Sequence, residues 1–341
     1  MKKEDNMKKL SVILLLILLL TTACSENTFE DYQTALAKTE TIKRGKLNTN
    51  MDLNLTFNTE DLSSEDIKRV KNFEKVAYEG TMSFDYTQDE KMVSSLNLLS
   101  LGGLGMNFDF YMQGDQMALY IPMLGKFLDL DSKSISQMNE ENNDLAAFSN
   151  LSLTDESISA LEQIWSQTFE ADEVVKGEKS TMETPEGDVR VVKFTVTPEK
   201  EKLKEFVNKA SRIVIEDSNI KEALESQMAK SNNQDFSWEE TLTEIMQDFE
   251  ESMQYWEVKQ FEVVDFIDVD GYIVESNVSV TIGFTASKPG SLTDFQMDFV
   301  TSYYEIEKKQ NIEFPELTEE NSVTIESLQQ GLPSTYENLL N

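Results

Sequence analysis

From Leu47 to Phe57 every odd position is apolar or threonine (Leu47, Thr49, Met51, Leu53, Leu55, Phe57), and every even one is polar. A strict period of two over this length predicts a long strand in a sheet with one buried and one wet face. The same alternation recurs at Val76, Tyr78, Met82, Phe84 and Tyr86, at Met106, Phe108, Phe110 and Met112, and at Met117, Leu119 and Ile121. Gln88-Asp89 and Gly114-Asp115 supply turns, and the glycine-rich stretch Leu98–Gly105 a bend between two strands. Further strands are predicted near 174–182 and 189–197, about a Pro185-Glu186-Gly187-Asp188 turn. The last ones fall near 256–269, 272–284 and 295–303, with Asp270-Gly271 and Pro289-Gly290 as their turns. The runs amount to about eleven strands, several longer than the usual five or six residues.

Helical spacing appears in four places. Phe29, Tyr32 and Leu36 mark one face of a helix through about Ile42. Thr154 caps a second, with Ile158, Leu161, Ile164, Trp165 and Phe169 on its apolar side. Pro198 opens a third, carrying Leu203, Phe206, Val207 and Ala210. Ser237 and Glu240 form a capping box for a fourth, with Trp238, Leu242, Ile245, Met246, Phe249 and Met253. Residues 131–150 read as a polar loop. Two arrangements fit this order: two domains divided near 131–153, or one large curved sheet whose helices come from the middle of the chain. The second is favoured, because neither half brings its own helical cover. The expected fold class is therefore α+β, a large bent antiparallel sheet, an open half-barrel of about eleven strands, covered by helices.

Composition narrows the chemistry. The 341 residues contain 30 Lys+Arg against 63 Asp+Glu, no His and one Cys, for a formal net charge of −33. Without histidine there is no Ser-His-Asp or Cys-His arrangement and no imidazole metal ligand. One cysteine excludes an internal disulfide and a CxxC zinc site. The acidic balance opposes nucleic acid as a partner, since such binders neutralise phosphates with Lys and Arg. It equally opposes a polybasic membrane-surface patch. No cofactor is expected and the chain is read as non-enzymatic.

At the N-terminus Lys8 and Lys9 precede an apolar run from Leu10 to Leu20, and Thr-Thr-Ala leads to Cys24. This pattern predicts a signal peptide, too short for a membrane span. The small residues before the only cysteine resemble the lipobox of bacterial lipoproteins, which implies cleavage after Ala23 and a diacylglycerol thioether on Cys24. Thr21 stands where that motif usually has leucine, with Leu20 one place further out. A conventional secretory signal with an incidental cysteine is the alternative. The boundaries expected are a signal peptide at 1–23, a lipidated tether at 24–30, one sheet-and-helix domain at 31–315 and a polar tail at 316–341. The resulting localisation is the extracytoplasmic face of the cell membrane, with the lipid on Cys24 as anchor.

A lipobox, a short tether, an initial helix, long alternating strands and helices inserted before the last strands together resemble the LolA/LolB and LppX/LprG class of envelope lipoproteins. The chain is also similar to lipoproteins of low-GC Gram-positive bacteria that share segments such as VVKFTVTPEK and GYIVESNVSV. The resemblance implies a strongly bent, unclosed sheet covered by helices, with an apolar cavity between them that holds acyl chains.

With strand phase kept, Leu53, Leu55, Phe57, Met82, Phe84, Phe108, Phe110, Val280, Ile282, Phe284, Met297 and Phe299 point the same way. Trp165, Phe206, Leu242, Met246 and Phe249 are the natural lids. These residues are the candidate lining of a cavity for a lipid or other hydrophobic ligand. Methionine-rich strand faces suit either a surface that repacks around different chains or an ordinary core. The alternative function is a scaffold or interaction lipoprotein with a filled core, whose acidic surface contacts envelope proteins or cations. Asp265, Asp268, Asp270 and Gly271 do not fit a calcium-loop spacing and read as a solvent-exposed hairpin turn. The carboxylates at Glu239, Glu240, Glu244, Asp248, Glu250 and Glu251 read as the wet face of a helix.

Overall fold

The computed structural model describes residues 26–87, 90–100, 105–130, 153–222, 242–243, 246–247, 251, 253–285 and 288–323. Helix α1 (Glu26–Glu40) leads into β1 (Arg44–Phe57), and helix α2 (Ser64–Lys71) follows. A meander then runs through β2 (Lys75–Asp85), β3 (Lys91–Ser100), β4 (Gly105–Gln113), β5 (Gln116–Ile121) and β6 (Lys126–Asp129). Helix α3 (Asp155–Thr168) and a 3-10 turn (Ala171–Glu173) introduce β7 (Val174–Thr184) and β8 (Gly187–Val196). Helix α4 (Lys200–Glu216) comes next, then β9 (Trp256–Asp268), β10 (Ile273–Phe284), β11 (Leu292–Tyr304) and the short β12 (Ser322–Val323).

These strands form one 12-stranded open sheet in the order β12-β6-β5-β4-β3-β2-β1-β11-β10-β9-β8-β7. Two meanders thus run outwards from a central seam, where β1 pairs with β11 in antiparallel register from Lys46↔Tyr304 to Phe57↔Leu292. Twelve described strands stand where about eleven were expected, because β6 and β12 are too short to show alternation. The sheet is also mixed rather than antiparallel throughout: β12 lies parallel to β6, with Ser322 opposite Phe127. That pairing draws part of the expected polar tail onto the sheet edge. The expected tether is helical from Glu26, and α1 ends at Glu40, two residues short of Ile42. Helix α2 was not anticipated, since its apolar positions are only Ile67 and Val70. Its start is fixed locally instead, by the Ser63 hydroxyl accepting the Asp66 N–H at 3.1 Å.

Register carries the predicted apolar face across the seam. Leu53 sits opposite Met297 on one side and Val76 on the other, and Val280 lies between Met297 and Phe261. Leu96 then brings Phe108 into the same face, and Ser94 brings Phe110. Glycine marks a tight place in the β1–β2 ladder: a Cβ on Gly80 would stand 2.6 Å from both Thr49 Oγ1 and the Tyr78 hydroxyl. Gly271, at φ +85°, closes the β9–β10 hairpin.

The described core is asymmetric. Tyr32 and Ala35 of α1 are buried with Phe169, Val174, Phe194, Val196, Val263, Ile267 and Ile273, so the helix packs over β7–β10. The Tyr32 ring stacks on Phe194 with centroids 5.8 Å apart. Trp165 of α3 meets Phe169 at 4.6 Å, Phe206 of α4 at 5.0 Å and Phe261 of β9 at 6.0 Å, all edge-on. No described helix packs extensively on β2–β6. Helices α3 and α4 are joined by Asp217, whose carboxylate accepts the Thr154 hydroxyl at 2.7 Å and the Thr154 N–H at 2.9 Å. Thr154 in turn caps α3 through the Ser157 N–H at 3.2 Å.

Candidate functional site

Helix α1 is laid on the sheet by its i, i+3, i+4 face, which presents Tyr32, Ala35 and Leu36 to β8–β10. Its C-terminal end is pinned by Thr39, whose hydroxyl accepts the Ile273 N–H at 2.9 Å. Lys38 donates to the Asp270 carbonyl and sits 4.3 Å above the Tyr272 ring. A straight helix on a twisted sheet cannot be flush along both flanks. Two clefts result.

The first, about 350 Å³, opens between α1, α3 and the sheet face formed by β9, β10 and β11. Leu36, Trp165, Val263, Ile273, Val278 and Tyr303 give it apolar and aromatic walls. Glu40 stands at its exposed edge, and Tyr32 and Asp265 belong to its inner wall. Among the described residues, Lys and Arg are absent from its lining. The second, also about 350 Å³, lies on the opposite flank of α1 and is charged. There Lys176 pairs with Asp31 at 2.6 Å, and Lys38 is engaged as described. A third hollow, near Arg44, Asp85, Lys91 and Lys309, is polar. Of these three, the first is the one suited to an apolar ligand.

Asp265 is the chemical centre of that cleft. It is 2% exposed, and its Oδ2 accepts the Tyr32 hydroxyl at 2.7 Å. No described group donates a hydrogen bond to Oδ1, which is buried as well. Burial pushes the Asp265 carboxyl above the ordinary aspartate value, and the hydroxyls of Ser276 and Tyr32 offset only part of that rise. Ser276 stands directly across the ladder from Asp265 without completing a hydrogen bond to Oδ1. The Tyr32 phenol is raised far above its usual range, first by burial and then by the neighbouring carboxylate. Tyr32 is thus a fixed neutral donor, and Asp265 a buried carboxylate with one oxygen hydrogen-bonded and the other without a described donor.

Of the predicted lining set, Trp165 faces this cleft, and Phe206 backs Trp165 from α4. Leu53, Leu55, Phe57, Met82, Phe108, Phe110, Ile282, Met297 and Phe299 are half-buried on the same side of the sheet, outside the cleft walls. Phe84 and Met246 are each 6% exposed, and Phe284 meets Trp256 edge-on at 5.8 Å. Phe249 and Cys24 lie outside the described residues.

The hairpin reading of the aspartates needs correcting at one position. Asp270 does sit in the turn, and Asp268 Oδ1 accepts the Tyr272 N–H at 2.9 Å to brace it. Asp265, however, is buried inside β9 rather than exposed. A signal for this was present, because Asp265 is in phase with Phe261, Val263 and Ile267 on the inward face of the strand. The partner of Tyr32 lies 233 residues away, so only the register could join the two.

Among the described residues no group of three or more His, Cys, Asp or Glu side chains is placed to hold a metal ion. Among them, too, no helix is long and apolar enough to cross a membrane. No protein-family model and no curated protein matches this chain.

Proposed function

We propose that the chain is a non-enzymatic lipoprotein, anchored through lipid on Cys24 at the outer face of the cell membrane, that binds a lipid or other hydrophobic ligand beneath α1. In this reading the open sheet is a bent half-barrel resembling the LolA/LolB and LppX/LprG class, with α1 and α3 as its cover over β8–β11. The observation that carries it is the cleft of about 350 Å³ walled by Leu36, Trp165, Val263, Val278 and Tyr303. That volume falls at the lower end of the range of roughly 300–1,000 Å³ usual for ligand pockets. The absence of histidine from the sequence and the single cysteine favour binding over catalysis. The anchor position supports it as well, since α1 begins at Glu26, two residues after Cys24.

The test uses residues 25–341, which contain every described element, purified without detergent. Native mass spectrometry should find a co-purified lipid mass that is lost on denaturation. A fluorescent acyl probe should bind saturably, and Val278→Trp should abolish its uptake while unfolding stays cooperative. If the wild type carries no lipid and takes up no probe, and Val278→Trp is merely destabilised by about 1–3 kcal/mol of overpacking, the core is filled. The scaffold reading, with an acidic surface turned to envelope proteins or cations, then replaces this one.

A further inference from the structure

The cleft's walls and its charge do not ask for the same thing. An apolar ligand satisfies Leu36, Trp165, Val263 and Val278, yet it leaves the inner wall with a carboxylate whose Oδ1 receives no hydrogen bond from any described group. Burying a carboxylate is costly unless it is paired and hydrogen-bonded. Tyr32 meets half of that demand from α1 at 2.7 Å. Among the described residues only the Ser276 hydroxyl, across the ladder, stands near the other half, short of a hydrogen bond to it, and the lining there holds no Lys or Arg, while its second acidic residue, Glu40, has the same sign as Asp265. The aromatic side chains of Tyr32, Trp165 and Tyr303 border the same space, and aromatic faces attract cations when water is excluded. A carboxylate, a like-charged neighbour at the mouth and aromatic walls all favour a positively charged, hydrogen-bond-donating group on an apolar body.

We propose that Asp265 is the head-group acceptor of this cleft and that it selects amphiphiles bearing a primary ammonium over neutral or anionic ones. This rests on the ligand-binding reading above and adds the ligand's chemical class to it. The ammonium donates to Asp265 Oδ1 while Tyr32 keeps Oδ2, and the alkyl portion lies against Leu36, Trp165, Val263 and Val278. A fatty-acid carboxylate meets Asp265 with the wrong sign, and among the described residues the cleft lining offers no Lys or Arg to offset it.

The test titrates residues 25–341 by calorimetry with dodecylamine, dodecanol and dodecanoate, each below its aggregation concentration and at physiological salt. Dodecylamine should bind with one-to-one saturation, and at least about tenfold more tightly than dodecanol, as expected for a hydrogen bond to a charged group. Dodecanoate should bind more weakly still. Asp265→Asn should lower amine affinity at least about tenfold and leave dodecanol unchanged, whereas Glu201→Gln, on the exposed face of α4, should change neither. That control separates the cleft from diffuse attraction to an acidic surface. If Asp265→Asn does not fold, the wild-type ratio of amine to alcohol reads the same preference. Equal binding of amine and alcohol overturns the assignment of Asp265 while leaving the hydrophobic cleft standing. Failure of all three ligands and of the acyl probe to bind overturns both readings.

Discussion

Asp217 and Asp265 are both nearly inaccessible, at 3% and 2% exposure, and their surroundings push them in opposite directions. Asp217 is encircled by donors. The hydroxyls of Ser157 and Thr154 and the N–H groups of Thr154 and Ile220 hold its carboxyl well below the ordinary range. Asp265 has too few donors to offset its burial, and its carboxyl is held above that range. The two therefore affect stability with opposite sign. A depressed native value stabilises the fold at neutral pH, and the gain is lost as pH falls from the unfolded-state value through the native one. A raised native value acts the other way, with stability full in acid and declining as pH climbs through it. Asp217→Ala should consequently loosen α3 from α4 and lower stability at pH 7. Its deficit against the wild type should begin to shrink as pH drops below the ordinary aspartate value of 3.8. Urea unfolding in a pH series measures this, and a deficit that stays constant down to pH about 2 would contradict the donor cage. At this scale the sequence was only partly legible. The hairpin reading misplaces Asp265 in an exposed turn although it falls in phase with Val263 and Ile267, and Asp217 offers no pattern at all, since its partner Thr154 is 63 residues away.

The strands were far more readable than the side-chain partnerships, and for a physical reason. Alternation over ten or more residues, as in β1, β9, β10 and β11, reports burial of one face directly. Short elements carry no such record: β6 has four residues and β12 two, and β12 joins the sheet through β6. The cavity lining was expected along β1, β4 and β11, at Leu53, Phe108 or Met297, because a sheet pattern tells which face is apolar but not where a helix lifts away from it. Gly80 shows how closely the elements of the seam region approach. It sits opposite Thr49 in the β1–β2 ladder, with Tyr78 two positions back on the same face. Gly80→Ala should cost about 1–3 kcal/mol through overpacking, read as a lower urea midpoint with an unchanged slope. Adding Thr49→Ala should recover part of the loss, and a double variant no better than the sum of its parts would show that the crowding is not between these two residues.

A net charge of −33 surrounds this sheet. Like charges on a compact body repel one another, and salt screens that repulsion over about 8 Å at physiological ionic strength. Added NaCl should raise the melting temperature modestly, and Ca²⁺ at matched ionic strength should do little more, because the described residues hold no acidic cluster of metal-binding geometry. A stoichiometric, micromolar Ca²⁺ isotherm would contradict this. The seam between β1 and β11 bears on how such a molecule is made. One edge of β1 is served by β2, which follows within a few dozen residues, but the other has to wait for Tyr304 and its neighbours. At ribosomal speeds of about 5–20 residues per second, roughly 250 residues of further synthesis take about 12–50 s. For that interval a twelve-pair ladder face stands open with Leu47, Met51, Leu53 and Leu55 along it, a template for any other extended segment nearby. The newborn chain is thus most exposed to wrong partners in the middle of its own synthesis, and its alternating charges and asparagines at Lys46, Asn48, Asn50, Asp52 and Asn54 are what keep that waiting edge soluble.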